Sequence, residues 1–215
     1  MKIKWLGHAA FLLTARDGTR VITDPYATGA GLSYGEIRES ADVVLVSHEH
    51  MDHNNVQGVG GSPEVIRGAG THRAKGVEFK GVASFHDPSG GKQRGPNTIF
   101  CFALDEIKFC HLGDLGHVLS KEQVAQIGQV DVLFIPVGGF FTIDANEATQ
   151  VAEQLKPKVI VPMHFKTPKC DYPITPVEDF LRGKKRVRKV GSSEVEIEAN
   201  SLPEATSIWV LEPAL

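Results

Sequence analysis

The segment Ala41–Val46, Ala-Asp-Val-Val-Leu-Val, runs through Ser47 straight into His48-Glu49-His50-Met51-Asp52-His53. A short run this rich in valine and leucine suits a strand buried on both faces, and such strands lie inside covered sheets. Three histidines, an aspartate and a glutamate then take five of the next six positions after Ser47. A buried strand must therefore end where many metal-capable side chains meet. The helical zinc pattern H-E-x-x-H fails here, because Asp52 stands where its second histidine belongs. Instead His48, His50 and Asp52 recur at every second residue with His53 added, a spacing that suits extended or loop backbone.

Other apolar runs end the same way. Lys2–Leu6, Ala10–Thr14 and Arg20–Thr23 read as strands around the turn at Asp17-Gly18. Val77–Phe85, Thr98–Leu104, Glu106–His111, Val130–Ile135 and Lys158–Pro162 read as further strands. His8 and Asp24 close the first strands, while His86, Asp114 and His164 follow later ones. In α/β sheets the ends of strands line one crevice where catalytic and ligand-binding groups collect.

Helices are fewer. Ser120 with Gln123, and Asp144 with Glu147, form capping-box patterns ahead of helices over 121–127 and Ala145–Leu155. Thr175-Pro176 starts a third helix that runs through Leu181. Glycine clusters at 58–61, 68–70 and 89–95 mark loops, and no fixed-period repeat is visible. The chain reads as one α/β domain over 1–215.

At 215 residues the chain can bury roughly 70% of its unfolded surface, so its folding requires neither disulfide nor oligomer, although a homo-oligomer is compatible with the composition. A formal net charge of −3 points to no polyanionic partner. Three cysteines without a CxxC pair read as reduced thiols, which favours the cytoplasm. The start MKIKWLGHAAFLL is broken by His8 and followed by Arg16-Asp17-Gly18, a strand and turn rather than a signal peptide. No run of about eighteen apolar residues occurs, so no membrane span is expected.

Here the chain resembles the metallo-β-lactamase superfamily, whose HxHxDH signature is matched by His48, His50, Asp52 and His53. The resemblance covers nearly the whole chain and implies an αββα four-layer sandwich. Phrases such as WLGHAAFLL, TDPY, GDLGH, PVGG and PMH look like small prokaryotic hydrolases related to ascorbate-6-phosphate lactonase, and more distantly to N-acylphosphatidylethanolamine phospholipase D. The resemblance further implies two divalent metal ions, one held by His48, His50 and His86, the other by Asp52, His53 and His164, with Asp114 bridging. Nitrogen and oxygen donors without thiolate suit zinc first, with manganese as competitor. Two such ions lower the pKa of a shared water, so a bridging hydroxide becomes available as nucleophile near neutral pH.

Asp52 is then both ligand and proton acceptor, and Asp24 orients a ligand histidine by accepting its free ring N–H. His8 is expected to touch substrate, and His117 to donate a proton to the leaving group. In the loop after His86, Arg94 and Asn97 are expected to bind substrate, Arg94 by gripping a phosphate or carboxylate in two-pronged fashion, while Lys92 reads as solvated. His111 reads as a strand residue making a cross-strand or backbone hydrogen bond, and His72 as an exposed loop residue. The basic run 182–189, RGKKRVRK, lacks interleaved aromatics and is followed by Glu194, Glu196 and Glu198, so it reads as a solvated face rather than a nucleic-acid site. The expectation is a metal-dependent hydrolase cleaving an ester-type bond (lactone, carboxylester or phosphoester) in a small, anionic substrate. Its rivals are a phosphodiesterase or nuclease on the same two-metal site and a catalytically weak metal-binding regulatory protein.

Overall fold

The computed structural model describes residues 1–215 and contains two facing sheets. Strands β1 (Lys2–Gly7), β2 (Ala10–Thr14), β3 (Arg20–Thr23), β4 (Val43–Val46) and β5 (Glu64–Arg67) belong to the first sheet. Strands β6 (Gly70–Ala74), β7 (Val77–Phe85), β8 (Pro96–Leu104), β9 (Ile107–His111), β10 (Val132–Pro136), β11 (Val159–Met163) and β12 (Val187–Lys189) belong to the second. Two late strands, β13 (Glu194–Glu196) and β14 (Ser207–Val210), return one to each. The six-stranded sheet has the order β13-β1-β2-β3-β4-β5, and the eight-stranded sheet β12-β14-β11-β10-β9-β8-β7-β6.

Side-chain alternation along the strands sorts the core. Phe11, Leu13, Val21, Val43 and Leu45 face inward and join a large intersheet cluster, where Phe11 meets Phe134 with ring centroids 4.3 Å apart. Their neighbours Leu12, Ile22, Val44 and Val46 face the other way, under Tyr26, Leu32, Tyr34 and Ile37. Helices α1 (Lys121–Ile127) and α2 (Ala145–Leu155) pack against β7 and β10 of the eight-stranded sheet, and α3 (Val177–Leu181) packs against α2. Ala148, Val151, Ala152 and Leu155 form the buried stripe of α2 at helical spacing. The molecule is thus an α/β sandwich, and the outer layer of its smaller sheet is loop with a short 3-10 turn at Val56–Gly58.

The capping boxes at Ser120 and Asp144 both form. Five short strands went unread in the sequence, β13 and β14 among them: β5 and β6 expose most of their side chains, and β12 lies inside the basic run. His72 accordingly sits in β6, not in a loop, and its Nε2 lies 3.1 Å from the Gly68 carbonyl. In β12, Arg188 stacks over Trp209 at 4.8 Å, and the charged edge resists pairing with further strands. All three cysteines are free, and no helix is long and apolar enough to cross a membrane.

Candidate metal centre

Six strand ends deliver side chains to one point between the sheets: His8 after β1, Asp24 after β3, His48 after β4, His86 after β7, Asp114 beyond β9 and His164 after β11. His8, Asp24 and His164 take positive φ of 52°, 39° and 51°. Left-handed backbone at a non-glycine residue costs about 1–3 kcal/mol, a strain that surrounding packing must offset and that clusters at functional sites.

Asp24 organises the base of the site. Its carboxylate is fully buried and accepts from the Ser47 N–H (2.7 Å), the Ser47 hydroxyl (2.7 Å), His53 Nδ1 (3.1 Å) and His111 Nε2 (2.8 Å). Burial opposes ionisation, but the facing His111 and His53 rings overcome it and hold the carboxyl well below the usual range. Because the Ser47 hydroxyl donates to Asp24, it can only accept from His48 Nδ1–H at 2.9 Å. His48 and His53 thus each donate through Nδ1, which leaves Nε2 as the nitrogen turned toward Asp114. His111 therefore bonds a carboxylate across the two sheets, and not a strand neighbour as its position in β9 suggested.

Asp114 sits at the centre. Its Oδ2 lies 3.2 Å from His53 Nε2, 3.2 Å from His86 Nε2, 3.3 Å from His164 Nε2 and 3.9 Å from His48 Nε2. The buried Nε2 atoms of His48 and His53, and Oδ1 of Asp114, have no hydrogen-bond partner. One carboxylate oxygen cannot satisfy four imidazoles, and unpartnered buried lone pairs are costly. Two donors bound tetrahedrally at about 2.1 Å to one ion stand about 3.4 Å apart, so the convergence fits metal ligation.

Ligand atoms lie within 4.8 Å of one another in three groups: His48, His50 and His86; His48, His53 and Asp114; and His8, Asp52, His53 and His164. The seven residues expected as ligands are thus brought together, with His8 beside them. Burial is the largest influence on Asp52 and opposes its ionisation, yet the His53 and His8 rings hold the carboxyl below its usual range. On His53, burial is likewise outweighed, here by Asp114 and Asp52, and the imidazole is raised well above its ordinary value. Burial, reinforced by neighbouring rings, pushes His8 down to about 4 and His48 down to about 3.

Three of the expected residues lie away from the open part of the site. His8 is 1% exposed, lies tilted against His164 with ring centroids 4.2 Å apart and places Nε2 3.2 Å from Asp52 Oδ2. Asn97 is 2% exposed and fully used, donating to Ser84 Oγ and the Leu112 carbonyl and accepting the Asp114 N–H at 3.0 Å. It holds the Asp114 backbone in place. His117 stands apart from the cluster, its Nδ1 2.9 Å from the Val118 carbonyl and its Nε2 accepting the Phe85 N–H at 3.2 Å. With both ring nitrogens committed to backbone, it has no proton to deliver to the site.

Arg94 does reach the centre. A cavity of about 310 Å³ opens over His50, Asp52, His86, Asp114 and His164, with Arg94, Phe141 and Tyr172 as walls. Three contributors to it carried no motif. Asp87 is buried and accepts the backbone N–H groups of Ser89, Gly91, Gln93 and Arg94, which folds the loop that carries Arg94. Tyr172 places its hydroxyl 3.4 Å from Asp52 Oδ2. Phe141 lies edge-on to Tyr172, and the Arg94 guanidinium stands 5.6 Å from its ring centroid. Only an acidic residue leading a glycine-rich loop, at Asp87, was a usable sequence signal.

With this geometry in place, comparison with known proteins gives the class. The family model for the beta-lactamase superfamily domain matches residues 2–164, and the chain belongs to the metallo-β-lactamase superfamily. Within it, the relatives are called UPF0173 metal-dependent hydrolases. One from Pyrococcus horikoshii is 30% identical over 78% of this chain and 85% of its own, and one from Pelotomaculum thermopropionicum is 29% identical over 92% and 96%. A Thermotoga maritima structure, described as a zinc-dependent hydrolase of the superfamily, shares 40% identity with a TM-score of 0.82 over 98% of both chains. The metallo hydrolase Igni18 from Ignicoccus hospitalis shares the fold at 19% identity and a TM-score of 0.67, covering 99% of this chain and 95% of its own.

Proposed function

We propose that this chain is a hydrolase that holds two divalent cations and cleaves an ester-type bond (lactone, carboxylester or phosphoester) in a small anionic substrate. The observation that carries the reading is the convergence of four imidazole nitrogens on Asp114 Oδ2 beside buried, unpartnered lone pairs. His48, His50 and His86 would hold one ion, and Asp52, His53 and His164 the other, with Asp114 shared. Nitrogen and oxygen donors without sulfur suit zinc, with manganese as competitor, and the name of the Thermotoga relative favours zinc. Bound there, the ions would supply Lewis acidity and a water that ionises near neutral pH.

The remaining work falls to side chains. Asp52 stays ionised at the cavity floor and is placed to take the proton of an attacking water. His8 donates to Asp52 from behind and fixes its orientation. Burial raises the Tyr172 phenol above its ordinary value, so it remains an O–H donor beside the reacting position. Arg94 faces the same cavity and offers a guanidinium to an anionic substrate group. Free thiols agree with a reducing cytoplasmic setting.

Elemental analysis of wild type, His50→Ala and Asp114→Ala, followed by turnover of lactone, carboxylester and phosphodiester panels, tests the proposal. Two metals per wild-type chain, fewer in both variants, and ester turnover abolished by Asp52→Asn are expected. Turnover confined to phosphodiesters or short RNA would move the protein to the nuclease reading. Bound metal without hydrolysis would leave a binding protein, and failure to take up metal at all would reject the centre.

A further inference from the structure

One residue of the opening motif has no part in the centre. Glu49 sits between His48 and His50 but turns outward, where its Oε1 accepts Arg67 Nε at 2.8 Å and its Oε2 accepts Asn54 Nδ2 at 3.0 Å. Both partners of the Glu49–Arg67 ion pair are well exposed, with side-chain exposures of 65% and 42%, so the contact adds little stability. Its effect is geometric. With Nε engaged and Glu49 anchored twice, the guanidinium is aimed while its terminal nitrogens are left without a protein partner.

The aim is into a groove of about 570 Å³ that adjoins the metal centre through His48 and His50. Arg67 closes β5 of the six-stranded sheet, Arg94 lies in the loop after His86, and both line the groove. Arg94 is also held: Asp87 fixes its backbone, and its Nη2 donates to the Phe140 carbonyl at 3.2 Å. Beside the arginines the lining includes the apolar side chains of Ala69, Ala83, Phe85 and Pro96, together with Ser84 and Thr98. Arg94 borders both this groove and the cavity over the ligands, so one extended molecule can occupy the two.

We propose that the groove is a second substrate subsite, in which Arg67 and Arg94 hold a carboxylate or phosphate separated by a short apolar spacer from the bond cleaved at the metals. The proposal rests on the hydrolase reading and narrows its substrate class to esters or phosphoesters that carry a remote anionic group. Both guanidiniums border the groove and offer donors that match the in-plane lone pairs of an oxyanion, and the apolar side chains beside them match a methylene spacer. Glu49 acts as a positioning residue through Arg67.

The test compares metal-loaded wild type with Arg67→Ala, Arg67→Lys and Glu49→Gln on two substrates, neutral p-nitrophenyl butyrate and the anionic p-nitrophenyl half-ester of glutarate. Loss of a charged hydrogen-bond partner is expected to raise KM for the half-ester about tenfold or more in Arg67→Ala. Arg67→Lys should recover part of the loss, Glu49→Gln should shift KM in the same direction, and the neutral ester should be unaffected. Equal effects on both esters, or none on either, would overturn the subsite. Should wild type hydrolyse neither ester, the carboxylester branch of the hydrolase reading fails separately, and calorimetric titration of glutarate and inorganic phosphate into the metal-loaded proteins still decides. Weaker binding in Arg67→Ala supports the subsite. Binding unchanged by that substitution but lost in Asp114→Ala places the anion on the metals alone and rejects it.

Discussion

Asp24 draws four hydrogen bonds onto two carboxylate oxygens, and through Ser47, His53 and His111 it fixes which nitrogen each neighbouring ring presents. An amide at that position supplies one acceptor oxygen and two N–H donors facing groups that are themselves donors. Asp24→Asn should therefore leave the ligand set intact but misorient His53 and His48, weakening metal affinity about 10–100-fold. Competition titration against a chelator measures this, and unchanged affinity would show that Asp24 serves the fold alone. The role of Asp24 was legible because a carboxylate followed a strand among histidines. Ser47, Tyr172 and Asn97 were not legible in their actual roles: a hydroxyl, a phenol and an amide are common in loops, and their significance lies in partners 23, 120 and 17 positions away.

At the scale of elements, the centre depends on loops that approach more closely than a side chain permits. A Cβ on Gly116 would meet the Asp87 nitrogen and the His86 carbonyl carbon, both at 2.3 Å, while its own N–H donates to the Phe85 carbonyl at 2.9 Å. The loop after β9 is thereby pressed onto the end of β7, which sets His86 against Asp114. Gly116→Ala must push these backbones apart. Overpacking of this kind costs about 1–3 kcal/mol, and the displaced ligand should also lower metal content. Urea denaturation with metal analysis distinguishes a local from a global effect, and an unperturbed variant would mean the loops yield freely. Two of the strands that carry ligands, β4 and β11, were readable from continuous apolar runs, since both their faces are buried. By contrast, β13 buries only Val195 and pairs Glu196 and Glu194 with Lys2 and Lys4 of β1. Such an edge strand depends on its partner strand, which local sequence does not reveal.

Across the whole molecule, one cluster of buried rings and carboxylates couples stability to protons and to metal. Without metal, His8 and His48 titrate at about 4 and about 3 in the folded chain, against an ordinary 6.5. Between those values the unfolded chain binds more protons, so stability is lost as pH falls below 6.5 and rises by about 1.4 kcal/mol per pH unit for each net proton. His53 has the opposite sign. Its folded value is raised by Asp114 and Asp52, so its contribution is full below 6.5 and disappears as pH climbs through the folded value. The two slopes meet, and the metal-free protein should show its highest Tm near pH 6.5, with declines on both sides. Metal binding requires His53 to surrender its proton, so loading should release protons, raise Tm and abolish the alkaline decline. Thermal unfolding of chelator-treated and metal-reconstituted protein across pH 4.5 to 9 reads both curves, and a metal-free profile flat across about one pH unit on either side of the maximum would contradict this coupling.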